Sequence, residues 1–133
     1  MADSRIRRID TNTYGHPKSS FTQAYEIPGG TGLVFLSGIT SRAADASILG
    51  IADVARQCTE IFKSIERILQ SAGLGLDAVI KTNAYVTQPE CMETYRRIKQ
   101  EFLGDPGPPG TVVQVVALYD PAQLIEIEAI AIR

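Results

Sequence analysis

The sequence predicts one α+β domain over residues 1–133, a mixed β-sheet with two long helices packed on one of its faces. Three observations carry this reading. Two stretches repeat apolar residues at spacings of three and four, as amphipathic helices do. Six stretches of strand length are continuously apolar or alternate with period two. Clusters of Pro and Gly at Pro28-Gly29-Gly30, Gly73 to Gly75 and Gly104 to Gly110 punctuate them, and the order is β-β-β-α-β-α-β-β.

Residues 5–11 form a short first strand whose large apolar groups are Ile6 and Ile9. Residues 20–27 form the second, with Phe21, Gln23, Tyr25 and Ile27 on one face. The turn at Pro28-Gly29-Gly30 leads into residues 33–39, an apolar run expected to be buried on both faces. A polar loop over 40–50 precedes a helix over 53–72. Its stripe is Val54, Cys58, Ile61, Ile65, Ile68 and Ala72, widened by Phe62 and Leu69, and Gly73 supplies the left-handed stop. In the strand over 78–87, Ile80, Thr82, Ala84 and Val86 take one face, and Lys81, Asn83 and Tyr85 the other. Thr87-Gln88-Pro89-Glu90 reads as a capping box with Pro in the first turn. The second helix carries Met92, Tyr95, Ile98 and Phe102 and ends at Gly104. After a rigid loop over 105–110 come strands over 111–117 and 124–132. The last of them alternates Ile125, Ile127, Ala129 and Ala131 with Glu126, Glu128, Ile130 and Ile132. The sheet face that the helices leave bare then carries Phe21, Tyr25, Tyr85 and Glu126, a partly apolar surface suited to an oligomer interface.

Composition narrows the function. The net charge is −2, and the pI of about 5.4 argues against a nucleic-acid binder that works by neutralising phosphates. One histidine, His16, cannot build a multi-histidine metal site, and Cys58 and Cys91 alone cannot hold a structural zinc. The basic opening lacks the apolar core of a secretory signal, and no apolar run approaches a membrane span. Two distant cysteines announce no disulfide framework, so a cytoplasmic chain is expected. Cys58 falls on the apolar stripe of its helix, whereas Cys91 is expected to be exposed. His16, in Tyr14-Gly15-His16-Pro17, reads as a solvated loop residue.

Several segments resemble the reactive-intermediate deaminase family, also called Rid or YjgF. They run in order over most of the chain. The first are Ser20-Phe21-Thr22-Gln23-Ala24 and Val34-Phe35-Leu36-Ser37-Gly38. Gln57 and Ala72-Gly73-Leu74 follow, then Asp77-Ala78-Val79-Ile80-Lys81-Thr82. Pro108-Pro109-Gly110-Thr111-Val112 and Ile125-Glu126-Ile127-Glu128-Ala129-Ile130-Ala131 close the series. The resemblance implies a chorismate-mutase-like fold and a homotrimer with small-molecule sites in clefts between subunits. It also implies hydrolysis of imines and enamines to ketones and ammonia, without metal or bound cofactor. Some members bear a ribonuclease label, but no basic, aromatic-interleaved RNA surface is legible here.

The implied site residues are Phe21, Ser37, Gly38, Tyr95, Gly110 and Thr111 for the substrate, and Glu126 for catalysis. The chain departs from the family pattern at three of them. Gly110 stands where active members carry an Arg that binds the substrate carboxylate, Phe21 replaces a Tyr, and Tyr95 replaces an Asn. A substrate without a carboxylate, or one held by another base, would fit that loss; Arg42, Arg96 and Arg97 are the candidates. Glu126 is the group suited to activate water and then deliver a proton to the leaving nitrogen. Ser37-Gly38 is suited to offering backbone N–H groups. Glu128 lies on the same strand face, roughly 7 Å from Glu126, but two glutamates alternating on one strand are usually structural. A non-catalytic trimer that keeps the cleft for a metabolite or partner is the alternative.

Overall fold

The computed structural model describes residues 6–12, 22–30 and 32–133. In chain order the elements are β1 (Arg7–Ile9), β2 (Ala24–Ile27), β3 (Leu33–Leu36), α1 (Val54–Gln70), a 3-10 turn (Leu76–Ala78), β4 (Val79–Val86), α2 (Cys91–Leu103), β5 (Gly110–Gln114) and β6 (Ile125–Ile132). The predicted order of strands and helices is the observed one. The strands form one sheet in the order β1-β2-β3-β6-β4-β5. The β4–β5 edge is parallel and the other pairings are antiparallel, so the sheet is mixed.

Helix α1 starts where Asp53 accepts the Arg56 N–H on its carboxylate, at 3.0 Å. It buries Cys58, Ile61, Phe62, Ile65, Ile68 and Leu69, each aliphatic or aromatic side chain stabilising the fold by about 1.5–3 kcal/mol. At its end the Leu74 N–H donates to the Leu69 carbonyl and the Gly73 N–H to that of Gln70, a Schellman closure.

Helix α2 begins later than the capping box predicts. Glu90 is itself helical and caps nothing with its side chain. The N–H groups of Cys91 and Met92 donate to the carbonyls of Gln88 and Pro89 in tight turns, both at 3.1 Å, and the Thr87 N–H, which the Glu90 carboxylate of a box would accept, goes to the Leu124 carbonyl at 3.0 Å. This entry sets Cys91 against the core, where it is buried rather than exposed.

The helices cover one sheet face only, which corrects two expectations. Strand β3 buries Val34 and Leu36 but leaves Phe35 40% exposed, so it alternates instead of being buried on both sides. In β4 a register shift between Val79 and Lys81 puts Val79 inward and Ile80 outward, while Thr82, Ala84 and Val86 point inward as predicted. Strand β6 follows its alternation fully, with Ile125, Ile127, Ala129 and Ala131 in the core. Tyr25, Ile27 and Phe35 stand on the bare side.

Two buried glutamines join the layers. Gln57 of α1 donates to the carbonyls of Gly50 and Ala122 and accepts the Leu124 N–H at 2.8 Å. Gln123 accepts the Ser41 N–H and donates to the Ser41 carbonyl. Together they set where β6 begins. At the other end of β6, Arg133 donates to Glu26 of β2 and to the Ala72 carbonyl after α1. Arg7 of β1 donates to the second Glu26 oxygen at 2.5 Å.

Glu26 is 3% exposed. Burial pushes its pKa up, but the hydrogen bonds and charges of Arg133 and Arg7 outweigh that and hold the carboxyl below its ordinary 4.5. A depressed pKa adds stability that is fully present above the unfolded value and is lost as pH falls through the folded one. Glu26→Gln is therefore expected to lower urea stability by about 1–3 kcal/mol near neutral pH. The deficit should shrink in acid; a deficit that stays constant down to about pH 3 would contradict the ion-pair account.

Candidate active site

Glu126 sits on the bare sheet face, opposite Tyr85 in the β4–β6 register. Just beyond β3, Gly38 meets it. A β-carbon built on Gly38 would stand 2.0 Å from Glu126 Oε1. Only glycine lets the carboxylate lie against this backbone. Ser37 is less available than the sequence implied. Its N–H donates to the Gln23 carbonyl at 2.9 Å and its hydroxyl to the Thr22 carbonyl at 2.6 Å. These bonds hold the β3 exit and leave Ser37 neither a nucleophile nor a second backbone donor.

Glu128, two residues on, accepts from Asn83 at 3.0 Å and from the Tyr85 hydroxyl at 2.7 Å. The hydrogen bond to Glu128, then burial, then the charges of Glu128 and Glu126 raise the Tyr85 pKa, so the phenol keeps its proton and stays a donor. Glu128 is thus engaged within the sheet, and the two carboxylates are not an equivalent pair.

The remaining predicted residues lie elsewhere. Tyr95, Gly110 and Thr111 line a cleft of about 440 Å³ between α2 and the β5 edge. Tyr95 is only 4% exposed: its ring stacks on Phe62, and its hydroxyl lies 3.2 Å from Thr82 Oγ1. Burial raises its pKa. It is a core residue whose polar edge reaches the cleft wall. Gly110 pairs with Thr82 in the parallel register, and a β-carbon there would stand 2.5 Å from Thr82 Oγ1 and 2.6 Å from the Thr82 carbonyl oxygen. A side chain at 110 would therefore require Thr82 and the β4 backbone beside it to shift. Glu126 is not among the residues lining this cleft. The predicted residues fall into two groups, Ser37-Gly38-Glu126 and Tyr95-Gly110-Thr111. Phe21 and His16 lie outside the described residues.

The arginines weighed as substitutes are committed. Arg42 donates to the Ala46 carbonyl at 2.7 Å and to Asp120. Arg97 pairs with Glu101 on the surface. Arg96 lines the cleft, but its guanidinium grips Glu93 and reaches Gln100. A cation that sequence reasoning missed is Lys99. Its Nζ donates to the Pro108 carbonyl at 3.0 Å and stands 3.0 Å from the β-carbon position of residue 110. Burial, then the charge of Lys81, pushes its pKa down. The available signal was its spacing: four residues after Tyr95, it shares that residue's helix face.

Neither cysteine is poised to react. Burial pushes the Cys58 thiol up to about 12 and also raises Cys91. No helix among the described residues is long and apolar enough to cross a membrane.

A family model described as Endoribonuclease L-PSP matches residues 15–133. The chain belongs to this family. It is the YjgF/Rid group that the sequence resembles, and the fold agrees. RidA from an Antarctic Psychrobacter aligns with TM-score 0.81 at 25% identity, over 94% of this chain and 98% of that one. TdcF of E. coli, solved with bound serine, aligns with TM-score 0.80 at 26% identity, over 96% and 98%. A RutC family protein of Aquifex aeolicus is 27% identical over 96% of this chain and all of its own length. Reactive Intermediate Deaminase A of Arabidopsis thaliana, a chloroplastic protein, is 30% identical over 74% of this chain and 52% of its own. The family thus includes proteins named as deaminases.

The Gly38–Glu126 approach can be tested by a double-mutant cycle. Gly38→Ala should destabilise the fold by about 1–3 kcal/mol, through overpacking against Glu126. In a Glu126→Ala background the same change should be nearly neutral, as read from urea midpoints. Equal costs in both backgrounds would show that the carboxylate does not lie against residue 38.

Proposed function

We propose that this protein is a cofactor-free hydrolytic deaminase of a small imine or enamine, with Glu126 activating water. The observation that carries this reading is the Glu126 carboxylate seated against Gly38, a placement that a β-carbon would forbid. With the Ser37 N–H given to Gln23, the backbone donor of that pair available for substrate is the Gly38 N–H. Glu126 would take a proton from water as the oxygen adds to the imine carbon. It would return that proton to nitrogen to give the carbinolamine, then carry the hydroxyl proton to nitrogen as the C–N bond breaks, leaving the ketone and ammonia. A single carboxyl group serves both steps, so neither metal nor cofactor enters. Membership in a family that includes a reactive intermediate deaminase supports the reaction class.

The same reading makes the protein a homotrimer. In one protomer the Glu126 group and the Gly110 cleft are separate, and Tyr25, Ile27 and Phe35 stand exposed on the bare sheet face. Assembly through that face would cover the apolar groups and give each site parts from two subunits. A second reading, a trimeric binding protein without turnover, draws support from Gly110, which carries no side chain for the substrate.

With 2-iminobutyrate generated in situ, the wild type is expected to release ammonia. Glu126→Ala should lower kcat by about a hundredfold or more, within the range of general acid–base catalysis. An inert wild type would favour the binding protein, and an unimpaired Glu126→Ala would remove the mechanism. Light scattering should return a mass near three times 14.4 kDa; a monomer would exclude the shared cleft.

A further inference from the structure

We infer that the hollow between α1, the loop over 40–50 and the turn after β1 is a second binding site, built for a small phosphate monoester. It has a volume of about 430 Å³ and shares no lining residue with the Glu126 group or the Gly110 cleft. Arg42 and Leu49 come from the loop, Glu60 and Arg67 from α1, and Asn12 from the turn. The inference starts from Arg42. Its side chain is 5% exposed and lines the hollow, yet its Nε–H has no hydrogen-bond partner among the described residues. A buried donor without an acceptor costs about 1–3 kcal/mol. Such groups are rare in folded proteins, and an anion seated in the hollow would supply the acceptor.

The rest of the guanidinium is held so that this donor can be brought out. As Arg42 stands, the Nε–H is closed off from water. One terminal N–H donates to the Ala46 carbonyl at 2.7 Å, but the other reaches Asp120 only at 3.3 Å. The long contact yields first, so the group can turn about its bond to Ala46 and present Nε–H to the hollow. Ala46 is itself preset. Its φ of 70° is a left-handed backbone that alanine adopts at a cost, and the loop enforces it. The Ala43 N–H donates to the Ser47 carbonyl at 2.9 Å, and the Ala46 N–H to the Ala43 carbonyl at 3.0 Å.

Arg67 supplies the free charge. Its guanidinium has no ion partner among the described residues, whereas Glu60, the carboxylate of the lining, is offset by Lys63 at 3.4 Å. Two arginines against one glutamate leave the lining net positive. The donors stand on three separate segments: Arg67, Arg42 and the Asn12 amide. A flat carboxylate takes its donors near one plane, but a tetrahedral phosphate offers oxygens to several sides. Leu49 and the neighbouring loop alanines leave an apolar wall for the organic group of the ester.

The test uses phenyl phosphate, with inorganic phosphate and benzoate as its partial counterparts. Titration calorimetry should show that the wild type binds phenyl phosphate, and inorganic phosphate more weakly. Arg67→Gln should weaken phenyl phosphate about ten- to hundredfold, as expected for losing a hydrogen bond between charged groups, at an unchanged melting temperature. Arg67→Lys should recover part of the affinity. The Arg42 Nε–H resonance should move as the wild type saturates. Lys99→Met, in the other cleft, should bind like the wild type. A wild type that binds no phosphate would overturn the site, as would unchanged affinity in Arg67→Gln, a static Arg42 resonance, or an equal loss in Lys99→Met. Benzoate bound as tightly as phenyl phosphate would overturn the assignment to phosphate. Ammonia release tests the hydrolase separately, so either reading can fail without the other.

Discussion

The central position of β6 governs this molecule. It is paired with β3 on one side and β4 on the other, and helices lie on only one face. Its strict alternation therefore becomes a division of labour. Ile125, Ile127, Ala129 and Ala131 make the core, while Glu126 and Glu128 are delivered to the bare face. A slip of one residue would bury both carboxylates and expose the isoleucines. The register is held at both ends by polar ties. Gln57 and Gln123 secure the entry, and Arg133, through Glu26 and Ala72, secures the exit.

The two glutamates on that strand show how neighbours assign roles. Glu128 has Asn83 and Tyr85 as donors and acts as a cross-strand tie. Glu126, equivalent in sequence pattern, meets Gly38 across the strand exit. Both glycines that matter here do so by absence of a side chain. At 38 the missing β-carbon admits a carboxylate; at 110 it admits Thr82 and the ammonium of Lys99. The family-level pattern located both positions, but what enters each space is a property of residues far away in the chain.

Much of the fold was legible because periodicity reports which side faces a core. The stripe on α1 and the alternation of β6 needed no partner to be read. The readings that failed depended on neighbours. Phe35 is exposed because no layer covers that face of β3. Ile80 turns outward because a register shift precedes it. The box at Thr87 is bypassed because the Thr87 N–H is already given to the Leu124 carbonyl, a partner far away in the chain. Cys91 is buried by the packing of that entry, not by its own helix pattern.

The sequence by itself determined the order of elements, the inward faces of the long helix and the last strand, and family membership through ordered segments around Ser37-Gly38 and Glu126. These are local or nearly local properties, set by chain stereochemistry and hydrophobic spacing. Only the tertiary structure decided that the predicted site residues form two groups, that Ser37 is spent on Gln23 and Thr22, and that Thr82 and the Lys99 ammonium crowd the space beside Gly110. Those facts depend on which atoms of distant segments come within a few ångströms, and no spacing along a single chain encodes that distance.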